Sequence, residues 1–321
     1  MTNEQLFPGV SKAAWLAKVA KDLRGKALAD LDFTVAGRTF SPFHHPEDWP
    51  EPPPPVRGPR TEPCRSGVAL EITDPVADNQ LILDLLNKGA NALFLYSDTI
   101  DLSARLETVL DGVLREFIDV YTLQGPSSAN IVSLQGPIVE MSTYDEGYRG
   151  EEGARTSQVM ARMLRACADV LEDGLRPDER FTFWYEVDDD YLTSIARLRA
   201  LRLCYRLIAG AYGIGRPCHI VADPLTKHTD KYTGMIATSA QVSAALVGGA
   251  DTVFVPSGAS DDAKEKAFLR RVAVNSYNVL DHEAYLNRVA DPAAGSYYLE
   301  TLTDHFARTA WAAFQQLTTT T

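Results

Sequence analysis

Asp223, Lys227 and His228 follow closely on the strand-like run 218–222 and are of types that could do chemistry together. A carboxylate and an imidazole that close together can exchange a proton, and a lysine can form a Schiff base if burial or cationic neighbours lower its pKa. The run Thr226-Lys-His-Thr-Asp-Lys231 is polar throughout. That leaves Lys227 wet and makes a Schiff-base aldolase the weakest reading. A second short motif, Pro256-Ser-Gly-Ala-Ser-Asp-Asp262, could cradle a phosphate on backbone amides. The plainer reading is a loop feeding a helix capped by Ser260. Cys64, Cys167, Cys204 and Cys218 show no Cys-x-x-Cys spacing, so they read as reduced thiols and no metal site is expected.

These groups need elements to hold them. Strand-like runs at 68–73, 92–97, 117–123, 130–134, 181–187, 218–222, 252–256 and 275–280 alternate with helical patterns. The helices fall near 77–88, 102–115, 154–172, 190–212, 238–248, 261–273 and 283–288. Mostly apolar, uninterrupted strands alternating with helices predict a parallel sheet covered by helices. Gly89-Ala-Asn and Gly249-Ala-Asp each end a helix just before a buried strand. One helix-to-strand turn recurring far apart predicts an α/β fold closed into a (β/α)8 TIM-type barrel; the alternative is a doubly wound open sheet. Asp223 and His228 then lie at the carboxyl end of a strand, where barrel sites assemble. The third and fourth strands are too close for a full helix, so one barrel helix should be missing or degenerate.

Residues 1–62 read as an extended N-terminal arm and Pro-rich linker, 63–317 as the barrel and 318–321 as a low-complexity tail. In the arm, Ser11 suits a helix N-cap, residues 31–40 look like a hairpin, and Pro52 to Pro55 hold polyproline conformation. An arm with an apolar stripe packs on its own barrel or on a partner chain. The spacing of Ile195, Leu198, Leu201, Tyr205 and Ile208 predicts a core-facing helix, with Arg199, Arg202 and Arg206 as a basic stripe beside it. That stripe is a solvated or ion-paired face, or else a seat for a partner's acidic surface.

The 321 residues are 45% hydrophobic, enough for a barrel-sized core. With 31 Lys+Arg against 43 Asp+Glu, the net charge of −12 argues against a nucleic-acid or anionic-membrane binder. A basic region followed by an apolar stretch is absent from the N-terminus, and no window approaches 18 apolar residues. The expectation is a cytoplasmic protein with no membrane span.

Several segments carry a resemblance. Trp15-Leu-Ala-Lys-Val-Ala-Lys-Asp-Leu-Arg-Gly-Lys26, Phe33-Thr-Val-Ala-Gly-Arg-Thr-Phe40 and Phe181-Thr-Phe-Trp-Tyr185 are three of them. The most specific are Ala196-Arg-Leu-Arg-Ala-Leu-Arg202 and Asp291-Pro-Ala-Ala-Gly-Ser-Tyr-Tyr298. Together, from about Trp15 to Trp311, they resemble the substrate barrel of methylmalonyl-CoA mutases, and the small-subunit branch more than the catalytic one. The resemblance implies an adenosylcobalamin-dependent isomerase that interconverts methylmalonyl-CoA and succinyl-CoA.

It also implies what is missing. The family's Tyr-His pair falls on Ser142 to Ala154, where Glu152-Gly-Ala aligns Tyr148 with the tyrosine and Arg149 with the histidine; Tyr144 is a second candidate if the register shifts. Arginine, always charged and with five donors, replaces a neutral imidazole poorly. Asp223 and His228 stand where the catalytic branch has a Thr-His-Ser-Gln-type motif, so the four are candidates for a vestigial site. No histidine has Asp two places before it, as the family's cobalt-binding Asp-x-His-x-x-Gly requires. The expected role is a non-catalytic small subunit, inactive alone and not binding cobalamin itself, that stabilises a catalytic large subunit in a heterodimer. The alternatives are a catalytic acyl-CoA barrel served by a separate cobalamin-binding chain and, for the assembly, a homodimer.

Overall fold

The computed structural model describes residues 9–35, 37–49, 53–58, 62–124, 130–140, 152–225, 228, 230–257 and 262–319. Helix α1 (Lys12–Asp22) starts where Ser11 accepts the Ala14 amide on its hydroxyl. Strands β1 (Phe33–Val35) and β2 (Arg38–Phe40) pair antiparallel as the predicted hairpin.

The barrel sheet comprises β3 (Arg65–Glu71), β4 (Ala92–Tyr96), β5 (Asp119–Gln124), β6 (Asn130–Ser133), β7 (Ile138–Glu140), β8 (Thr182–Val187), β9 (His219–Pro224) and β10 (Thr252–Phe254). The order β6-β5-β4-β3-β10-β9-β8-β7 brings the last strand back onto the first and leaves the ring open only between β6 and β7. This is the TIM-type barrel expected. Every pairing is parallel except β5 with β6. Helices α2 (Pro75–Asn87), α3 (Leu102–Val109), α4 (Glu152–Asp173), α5 (Tyr191–Ala211), α6 (Lys231–Val247), α7 (Ala263–Asn278) and α8 (Tyr297–Thr319) cover it. Among the described residues no helix is long and apolar enough to cross a membrane.

The repeated turn is real. Gly89 and Gly249 both take positive φ (106° and 87°), and in each turn the next alanine donates back five residues, Ala90 to Leu85 and Ala250 to Ala245. That is a helix stop only glycine adopts freely.

Three expectations need correction. The run 130–134 is the antiparallel β6, which takes one place in the ring, and the parallel strand after it is the three-residue β7. As predicted, no helix separates β5 from β7 among the described residues. The run 275–280 is helical: Leu269, Ala273, Val274 and Tyr277 are buried at helical spacing in α7. A wider turn follows, with Ala284 donating to Val279, so 283–288 is not a helix.

The hairpin packs on its own barrel. Phe33 lies 5.8 Å from Tyr298, Phe40 lies 5.1 Å from His305, and Trp49 Nε1 donates to Thr301 at 2.9 Å, all on α8. Helix α1 buries none of its residues and touches the arm through Trp15, against Phe43 and His45. The linker is pinned as well: the Val56 amide donates to Asp291, and Arg57 donates to the Gly249 carbonyl.

Candidate functional site

Side chains alternate across each strand, so one parity meets the helices and the other points into the barrel. Leu93, Leu95 and Val120 join the core beneath the helices, and so does Phe183 on the other side. Their neighbours Ala92, Phe94, Tyr121, Trp184, Val221 and Phe254 form a separate cluster inside the ring. Trp184 stacks on Phe254 at 4.9 Å and lies 5.0 Å from Phe94 and 5.4 Å from Tyr121. Gly67 makes this layer possible, since a Cβ there would sit 2.5 Å from the Phe254 ring. An aromatic plug fills the axis.

Below the plug, toward the amino ends of the strands, lies a polar floor. Asp119 binds Arg180 at 2.8 Å and Arg65 at 3.5 Å, and Thr252 donates to it at 3.3 Å. His219 Nε2 meets Thr252 Oγ1 at 2.9 Å, and burial holds the imidazole down at about 4, so it is neutral at physiological pH.

Above the plug, the next inward positions are Glu71, Glu140, Glu186 and Asp223, a set of carboxylates around the carboxyl-end mouth. Five aspartates add to that rim. Asp74, Asp101, Asp190, Asp230 and Asp262 each cap a helix there by accepting its first free amides. Asp262, and not Ser260, starts α7.

Asp223 is the sequence candidate that sits in this mouth. Trp184 Nε1 donates to it at 3.1 Å. Burial pushes its carboxyl up to about 6, with nearby Glu140 adding to the rise against that hydrogen bond. The folded chain therefore takes up a proton the unfolded chain releases. The stability this gives is full below about pH 4 and is lost as pH rises through about 6. Asp223→Asn keeps an acceptor for Trp184 and removes the charge. We expect it to raise stability at pH 7 by roughly 1–2 kcal/mol and by almost nothing at pH 4. Urea unfolding at the two pH values checks this; equal differences at both would refute it.

His228 is not joined to Asp223. Its Nε2 lies 3.2 Å from Asp189, whose other oxygen accepts from Gln241 at 2.7 Å. Gln241 also donates to the Leu225 carbonyl, so this knot ties the loops after β8 and β9 to α6. Tyr144, Tyr148, Arg149, Lys227 and Ser260 lie outside the described residues. Among the described residues no group of His, Cys, Asp and Glu is arranged to hold a metal ion.

The basic stripe on α5 is internal at Arg199 and Arg202, whereas Arg206 is exposed. Arg199 is 2% exposed and binds Asp291 at 3.0 Å and Glu300 at 2.8 Å. Arg202 reaches Asp251 at 2.7 Å and the Cys218 and Gly249 carbonyls. Arg206 donates to the Val56 carbonyl. The ion-paired reading holds for Arg199 and Arg202, which are too buried to seat a partner's acidic surface.

Comparison with known proteins is consistent with this frame. Residues 146–320 match a family model described as methylmalonyl-CoA mutase. The methylmalonyl-CoA mutase small subunit of Porphyromonas gingivalis is 25% identical, covering 96% of this chain and 63% of that one. The small subunit of Streptomyces virginiae is 26% identical, covering 97% and 64%. A probable small subunit from Mycobacterium bovis is 34% identical over 168 residues, covering 49% and 26%. The chain thus spans less than two thirds of the length of these relatives. Among solved structures, wild-type GGGPS from Thermoplasma volcanium superposes with a TM-score of 0.34 at 11% identity, covering 65% of this chain and 91% of that one.

Proposed function

The chain belongs to the methylmalonyl-CoA mutase family, and from that premise we propose that it is a small-subunit barrel that performs no acyl-CoA chemistry itself. It pairs with a catalytic large subunit, which holds the adenosylcobalamin and isomerises methylmalonyl-CoA and succinyl-CoA. The observation that carries this reading is the aromatic plug. Phe94, Tyr121, Trp184 and Phe254 occupy the axis, and Gly67 lets Phe254 close on it. A thioester would have to displace a packed layer, at a cost of several kcal/mol. The mouth above that layer is lined with carboxylates, which disfavour an acyl group that itself carries one.

Support of a partner fits the arm. Its hairpin is spent on α8, whereas α1 buries nothing and keeps Leu16 and Val19 only half-covered. An amphipathic helix in that state gains stability when a second chain covers its apolar side. In the cytoplasm of the host the assembled heterodimer, and not this chain, turns over acyl-CoA.

Purification from the native host should recover a longer, cobalamin-containing chain alongside this one. The protein without that partner should show no mutase turnover, and methylmalonyl-CoA should titrate with the same affinity as free CoA. Turnover by a homo-oligomer of this chain, or a clear affinity gain from the acyl group, defeats the proposal.

A further inference from the structure

Helix α6 differs from the other helices that cover the barrel. From Tyr232 to Val247 it contains no Asp, Glu, Lys or Arg, whereas each of the others carries charge within its body. Val242, Ala244, Ala245 and Leu246 make its buried side. Its outer side is apolar too. Tyr232 and Ile236, one turn apart, are 67% and 73% exposed, and Ala240 continues their stripe at the surface. A helix that meets water on that side normally places charged residues there.

The neighbouring α7 supplies charge of one sign. Lys231 Nζ reaches Glu265 at 2.8 Å and ties the starts of the two helices together. Phe268 is 44% exposed, and Lys264 and Arg271 flank it at the spacings of one helix face. Lys231 lies 5.3 Å from the Tyr232 ring and the Arg271 guanidinium 5.7 Å from the Phe268 ring, so both exposed aromatics sit beside a cation. Among the described residues, Lys264, Lys266, Arg270 and Arg271 have no ion-pair partner. Glu265 is the one acid within either helix, and Lys231 already answers it. The N-caps Asp230 and Asp262 turn their carboxylates to the helix amides. A basic, apolar surface thus stands on a chain whose net charge is −12.

We propose that the outer face of α6 and α7 docks an acidic surface of the catalytic large subunit, with Tyr232, Ile236 and Phe268 as apolar anchors and Lys264, Lys266 and Arg271 as the charged flank. The inference rests on the pairing proposed above and adds to it a contact separate from the arm. Charge decides the occupant. In a second copy, a two-fold contact would set this patch against itself and bring cations against cations. An anionic membrane would have to accept the strongly acidic remainder of the chain.

Sedimentation of the full-length chain with the cobalamin-containing chain that accompanies it, at low and at high salt, tests the assignment. Ile236→Asp should raise the dissociation constant at least about tenfold at both salt concentrations. The double variant Lys264→Glu with Arg271→Glu should weaken the pair at low salt and flatten its salt dependence. These positions are exposed, so the melting temperature of the separate chain should stay the same. Val76→Asp, on the outer side of α2 and 65% exposed, should leave the affinity unchanged. If the wild-type pair does not form, the subunit reading falls and the docking face falls with it. If the pair forms with equal affinity in all these variants, only the docking face falls. Self-association of the wild-type chain, or its sedimentation with phosphatidylserine vesicles, that is lost in Ile236→Asp would also overturn the assignment.

Discussion

Arg199→Ala should be among the most damaging single substitutions in this chain, with an expected loss of about 3–5 kcal/mol. The guanidinium is 2% exposed and holds two carboxylates that are almost as deeply buried, Asp291 at 4% and Glu300 at 3%. Asp291 in turn accepts the Val56 amide, and Glu300 accepts the Gly295 amide. One side chain therefore fastens α5, the turn before α8, α8 itself and the linker. Removing it strands two charges in a dry site, which costs far more than a lost surface pair. That loss is a large share of the roughly 5–15 kcal/mol that holds a domain together. Arg199→Lys keeps a charge but cannot fork to both acids, so it should fall between the two. Urea midpoints of the three proteins decide it. A loss under about 1 kcal/mol for the alanine variant would mean the cluster is not buried as described.

This cluster explains why two segments far apart in sequence are the most recognisable in the chain. Arg199 comes from one, Asp291 from the other, and Glu300 lies just beyond it; they meet only in the folded barrel. Sequence periodicity reads Arg199, Arg202 and Arg206 as a helix face and places Ile195, Leu198 and Leu201 in the core. It does not show that α5 is covered on the arginine side too, because the covering carboxylates sit 92 and 101 residues away. The barrel itself was more legible. Its two glycine turns bend alike, and the strands before α5, α6 and α7 lie where uninterrupted apolar runs put them. What misled was length. Three-residue β7 carries too few side chains for an alternating pattern, and in the run 275–280 Tyr277, Val279 and Leu280 mimic a short strand although Tyr277 continues the stripe of α7.

The candidate site divides the same way. Asp223 was legible because a polar residue at the carboxyl end of a barrel strand stands out against apolar neighbours. His228 stood out for the same reason, yet its partner is Asp189, from the loop after a different strand. The plug was illegible as a unit. Phe94, Tyr121, Trp184 and Phe254 each read as ordinary strand hydrophobics, and only the closed sheet's parity turns all four inward. A cavity at the amino ends of the strands, lined by Arg65, Arg180 and Arg216 among others, left a trace that could have been read. Arg65 begins β3, while Arg180 and Arg216 precede β8 and β9 by two and three residues. Cations placed repeatedly at strand starts share one end of a barrel.

Trp184→Ala should cost about 3–5 kcal/mol, because an indole is removed from a layer that can collapse little. Trp184 is 2% exposed, stacks on Phe254, touches Phe94 and Tyr121, and donates to Asp223. Its loss opens a void on the barrel axis and leaves Asp223 in a buried site without its donor. Two consequences distinguish a plug from ordinary core packing. Added indole should refill the void and raise the melting temperature of the variant but not of the wild type, as ligands do when they bind only the folded state. Trp184→Phe should recover the apolar part of the loss while the missing N–H leaves Asp223 still easier to protonate than in the wild type. If thermal unfolding shows no indole rescue and a loss near 1 kcal/mol, the axis is not sealed by this residue, and the case against a threaded thioester weakens with it.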